Sequence, residues 1–96
     1  MNKYEMRPHG PVMTNEEVAK DVFLKIMDMN PKENQVTIDM RGIITMTTQC
    51  VKAIFVRLYQ ELGYSIYYQN IVIENKSNTV SKLIAGSIDE YNKGLG

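Results

Sequence analysis

The sequence predicts a single small α/β domain, a central mixed sheet with helices packed largely on one face, and three observations predict it. Its 96 residues, 44% of them hydrophobic, give room for one modest core and none for a second domain beside it. Short stretches of strand character, at residues 36–40 and 71–73, are bounded by polar turns. Between them run helical stripes of about ten to fifteen residues, the spacing that crossover connections in an α/β sheet require.

The elements follow in order. Tyr4 and Met6 alternate with Lys3 and Glu5 as an edge strand, and Arg7-Pro8-His9-Gly10-Pro11 then breaks regular structure, so residues 1–13 read as edge strand and loop. Thr14 and Glu17 have the spacing of a capping box, which starts a helix at Asn15. Val18, Val22 and Ile26, flanked by Ala19, Phe23 and Met27, form its apolar stripe; Glu16, Lys20, Asp21, Lys25 and Asp28 take the wet side, and Asn30-Pro31 ends it. In residues 36–40, Val36, Ile38 and Met40 point one way and Thr37 and Asp39 the other, the period of a strand with one buried face.

The chain then passes through Met46-Thr47-Thr48 into a second helix, residues 48–62, with Val51, Ile54, Phe55, Leu58 and Leu62 on its buried side and Gly63 as the left-handed residue that ends it. Residues 64–68 are ambiguous. Ile71-Val72-Ile73 is short and β-branched, a buried strand. Ser77 or Asn78 caps a third helix carrying Val80, Leu83, Ile84, Ile88 and Tyr91, and residues 92–96 read as a frayed tail beyond a core of residues 14–91.

Composition narrows the function. Eleven basic and eleven acidic side chains cancel, so no overall positive field gathers nucleic acid or an anionic membrane. No apolar run approaches the ~20 residues of a membrane span. Cys50 is alone, which excludes an internal disulfide and fits a cytoplasmic setting. One histidine and no acid constellation leave no acid/base pair and no zinc site to assign. The six glycines lack phosphate-loop spacing. The expectation is a protein without enzymatic activity, cofactor or metal.

The turn at residues 46–50 is the most informative stretch. Two adjacent hydroxyls at a helix start stand where backbone N–H groups lack partners and the helix dipole favours negative charge. In the plainest reading Thr47 and Thr48 are an N-cap and its neighbour, worth about 1 kcal/mol. In the functional reading, phosphate on Thr48 brings about two negative charges to the helix start and changes what docks there. Asp39, at the end of its strand on the outer face, reads as a solvated carboxylate, His9 as a surface side chain, and Cys50 as a small core residue. Met13, Met27, Met29, Met40 and Met46 read mainly as core filling. Tyr64, Tyr67 and Tyr68 suit a contact surface or the seal of a sheet edge.

The strand VTIDMRGI, the turn TMTTQC, the helix VKAIFVRLYQELG and the later IVIENKSNTVSKLI resemble the STAS fold over roughly residues 14–91. The likeness is greatest to bacterial STAS-like domains of unassigned function, and more distant to anti-sigma-factor antagonists. In the antagonists an Asp-Ser-Ser-Gly turn opens the central helix, and its first serine is phosphorylated by a partner kinase. Those positions are here Thr47, Thr48, Gln49 and Cys50, so only the phosphorylated hydroxyl, at Thr48, is kept. The resemblance implies a regulatory switch working by protein–protein contact, with an ATP-dependent kinase-like, anti-sigma-type partner and Thr48 or Thr47 as the modified residue. Its contact surface would comprise Met46, Thr47, Thr48, Gln49 and Lys52. Two other readings stay open: a small-ligand or nucleotide sensor using the same turn, and a mobile-element assembly or interference protein that blocks a larger machine or forms a homodimer through a strand edge.

Overall fold

The computed structural model describes residues 2–95. Strand β1 (Asn2–Glu5) leads through a 3-10 turn (Arg7–His9) to β2 (Val12–Met13) and helix α1 (Glu16–Asp28). Strands β3 (Val36–Asp39) and β4 (Thr45–Met46) follow, then a continuous central helix over residues 48–62. That helix is built from α2 (Thr48–Val51), a π-helical segment (Lys52–Val56) and α3 (Arg57–Leu62). Helix α4 (Tyr64–Asn70), strand β5 (Ile71–Glu74) and helix α5 (Asn78–Leu95) complete the α/β domain.

Three strands form one sheet in the order β1-β3-β5, and β2 pairs with β4 in a second. Each described ladder is parallel, where a mixed sheet is expected from the sequence. The reason is connectivity: paired strands are separated by helices, and none is joined by a tight hairpin. Register places Val36 between Asn2 and Ile71, and Ile38 between Tyr4 and Ile73, on the face that meets the helices. The alternate rows, Lys3-Thr37-Val72 and Glu5-Asp39-Glu74, address the other face. Lys3, Glu5 and Glu74 are exposed there, so helices cover one side only, an uncommon state for a parallel sheet.

The central helix lies between α1 and α5. Its predicted stripe, Val51, Ile54, Phe55, Leu58 and Leu62, is buried, and Cys50, Val56 and Tyr59 are buried with it. A helix flanked on both sides buries more than one stripe. Met13, Met40 and Met46 fill the core as expected, while Met27 and Met29 pack half-buried against it.

Several local expectations are corrected. The α1 cap is Asn15, one residue beyond Thr14: its Oδ1 accepts the N–H groups of Glu17 and Val18 at 2.9 and 3.2 Å, and the helix starts at Glu16. Residues 64–68 are helical, because Gly63 at φ 83° ends α3 and serves at once as the cap of α4. Of the two expected α5 caps, Ser77 serves, its Oγ accepting the Val80 N–H at 3.1 Å. Residues 92–95, expected as a tail, continue α5; Gly96 lies outside the described residues. His9 is half-buried and stands 2.8 Å from the Tyr4 hydroxyl through Nε2.

Asp39 is 6% exposed, not solvated. Its Oδ1 accepts from Asn75 Nδ2 at 2.9 Å and from the Arg41 N–H at 3.0 Å, and Lys3 Nζ stands 3.5 Å from Oδ2. The Asn75 amide, then the Arg41 N–H, hold its carboxyl below the usual range despite partial desolvation. One side chain thereby links β1, β3 and the end of β5.

Candidate functional site

The turn ahead of the central helix is fixed before the helix begins. Ile44 N–H donates to Pro11 O at 2.7 Å and Thr47 N–H to Met13 O at 3.0 Å, extending the two-residue β2-β4 ladder at both ends. Ser77 Oγ donates to Ile44 O at 3.0 Å, tying the start of α5 to the same turn.

Within that frame the two threonines divide their roles. Thr47 is the N-cap: its Oγ1 accepts the Cys50 N–H at 3.2 Å. Thr48 is the first residue of the helix and is exposed, and no side-chain hydrogen bond engages it among the described residues. Gln49 and Lys52 are exposed on the following turn. Met46, expected on the contact surface, is instead 4% exposed, because its register partner Met13 shares the inward face of the ladder. Cys50 is fully buried beside the cap, which closes its thiol to reagents.

Gln49 and Lys52 also line a shallow groove of ≈ 280 Å³ between α1 and the central helix, with Glu16, Lys20, Ala53 and Arg57. Lys52 and Arg57 share this groove because of the π segment. Five residues apart on an α-helix, they would diverge by roughly 140°. Here the Arg57 N–H reaches the Lys52 carbonyl, the bond of a π turn, which widens the turn and draws residues five apart closer together around the axis. Sequence periodicity sampled at 3.6 residues gives no signal for that pairing and so missed Arg57, while Lys20 and Glu16 join the groove only through the packing of α1 on the central helix.

The groove's cations are held by exposed carboxylates. Lys20 stands 3.5 Å from both Glu16 and Glu17, Lys52 3.5 Å from Glu90, and Arg57 Nε 3.3 Å from Glu61. The Glu17 charge and hydrogen bond, then those of Glu16, raise the Lys20 pKa. Arg57 also lies over the Phe23 ring at 4.8 Å. Solvent screens such exposed pairs, so an incoming anion can replace the intramolecular carboxylate at little cost.

The predicted tyrosine cluster lies at the far end of the central helix. Tyr64, Tyr67, Tyr68 and Tyr91 ring Tyr59 edge-on at centroid distances of 6.5, 5.5, 6.2 and 6.0 Å. Tyr64 and Tyr68 are exposed and Tyr67 is buried, so the group both seals the core and presents aromatic surface. Among the described residues no group of three or more His, Cys, Asp or Glu side chains is arranged to hold a metal, and no helix is long and apolar enough to cross a membrane.

No protein-family model, curated protein or solved structure matches the chain.

Proposed function

We propose that this chain is a regulatory protein-docking domain without chemistry of its own, and that phosphate on Thr48 controls what it binds. The observation that carries the reading is the division of roles at the turn: Thr47 satisfies the helix cap, while the neighbouring Thr48 hydroxyl is exposed and unengaged. A phosphoryl group there would meet the first N–H groups of the helix and add about two negative charges. Gln49 and Lys52 lie on the adjoining turn, and the groove they share with Lys20 and Arg57 supplies cations for a partner's acidic side chains. The docking surface is Thr48, Gln49, Lys52 and that groove. An ATP-dependent kinase-like partner, and an assignment to the STAS-like domains, rest on the sequence resemblance.

The test is affinity purification of the tagged protein from its native cells, with mass spectrometry of the co-purifying proteins and of the peptide covering residues 46–52. Phosphate on Thr48 is expected, with one stoichiometric partner retained by Thr48→Ala and released by Thr48→Glu. Thr47→Ala serves as the structural control: loss of its cap is expected to lower stability by about 1 kcal/mol. Equal partner retention by Thr48→Ala and Thr48→Glu would sink the switch.

A further inference from the structure

Strand β5 ends the β1-β3-β5 order, so one of its edges meets no strand among the described residues. Glu74 O accepts the Met40 N–H at 2.8 Å, which turns the Glu74 backbone toward β3. Successive strand residues address opposite edges, so the N–H and C=O of Ile73 address the free one. Beside that edge a cleft of ≈ 220 Å³ separates β5 from α5. Ile71 and Ile73 form its strand wall, and Ile84, Ala85 and Ile88 its helix wall.

Polar groups are few in this cleft and poorly matched within the chain. Lys76 and Ser81 line it, and no ion pair engages Lys76 among the described residues. Tyr67 lines it too, 3% exposed, with a buried hydroxyl that has no hydrogen-bond partner. An apolar trough beside an unpaired strand edge, with a free ammonium, asks for three things: backbone groups to pair, apolar side chains to bury, and an anion. Its volume is below the about 300–1,000 Å³ of pockets that enclose a drug-sized molecule, but suits a few aliphatic side chains.

We propose that the β5 edge and the cleft beside α5 form a strand-addition site for an extended peptide of another protein, apolar at alternate positions and carrying a carboxylate that meets Lys76. Every second side chain of the peptide enters the cleft. Those between them lie over the open sheet face next to Val72 and Glu74 and are polar. The edge is held ready for docking: Asn70 Nδ2 donates to Pro31 O at 2.7 Å before β5, and Asn75 holds Asp39 after it. A strand fixed at both ends loses little freedom on pairing. This site does not depend on Thr48 or on the helix-start surface.

Selection of a displayed library of random linear peptides tests it. Ala85 is an exposed position in the cleft wall, so Ala85→Arg blocks the trough, and Lys76→Glu reverses the charge at another exposed position; circular dichroism and thermal melting confirm that both variants fold. Enriched peptides are expected to alternate apolar with polar residues and to contain an acid. They should bind the wild type at least about tenfold more tightly than either variant and slow hydrogen exchange at the Ile73 amide. Failure to enrich any peptide, enrichment without alternation, or equal affinity for Ala85→Arg would overturn the proposal. Sedimentation showing a dimer that no peptide dissociates would overturn it by assigning the edge to a second copy. Thr48→Glu should leave peptide affinity unchanged, so this site and the phosphate switch stand or fall separately.

Discussion

Asp39 shows how much one side chain can hold together. Its carboxylate joins a lysine on β1, a backbone N–H just beyond β3 and an asparagine just beyond β5. Those contacts lower its pKa from the ordinary 3.8. A folded state that binds this proton less tightly gains stability above the ordinary value and loses it as pH falls through the lowered one. Asp39→Asn is therefore expected to have a lower urea midpoint than the wild type at neutral pH, with the two converging as pH falls through the lowered value; a gap that stays constant across pH would rule the charge out as the cause. The sequence put Asp39 on the correct face of its strand but left it in solvent, because its burying partner Asn75 is 36 residues away. Met46 escaped for a different reason: a two-residue strand is too short to show alternation. Thr47 and Thr48 were legible as a helix start, but which of them caps is decided by backbone geometry that residue type does not carry.

The helices were legible where a stripe repeats. Residues 48–62 gave their buried side, through the 3.6-residue period, and the position of their terminating glycine correctly, but Gly63 stands at φ 83°, ψ 165°, an extended positive-φ conformation in place of the left-handed helical one expected. The π segment inside them left no trace in that period, and with it the shared groove of Lys52 and Arg57 went unseen. Residues 64–68 stayed ambiguous because five positions cannot separate a helical period from an alternating one once glycine punctuates them. Two glycines test the element-level account in opposite directions. A methyl group on Gly63 meets no atom within 4 Å, yet the backbone stands at φ 83°, ψ 165°, so Gly63→Ala should cost about 1–3 kcal/mol through strain. Gly86, inside α5, also has no neighbour within 4 Å of an added methyl and no such backbone demand. Gly86→Ala should stabilise by about 1 kcal/mol. Melting curves are expected to move apart by several degrees, about 4–8 °C per kcal/mol in a domain of this size; shifts of the same sign would contradict the assigned conformations.

At the scale of the molecule, alternating elements were enough to give the α/β class, because helices long enough to cross over leave little choice. The uniformly parallel pairing was not legible, nor was the strand order: residues 71–73 could have joined either side of β3 by their composition alone. With β3 flanked on both sides and β1 and β5 each flanked on one, native-state hydrogen exchange should be slowest in residues 36–40. Protection of β1 equal to that of β3 would mean that the outer edge of β1 pairs as well as its β3 side. The spatial order of the three strands also repeats their order along the chain. During synthesis the sheet can therefore widen in one direction only, each new strand settling on the outer side of the last. Between the emergence of residues 36–39 and that of residues 71–74, β3 is the open flank of the nascent chain, with Asp39 lacking its asparagine. That interval is when the growing polypeptide is most open to joining a neighbour's strand, and the time the ribosome takes over the central helix sets how long it lasts.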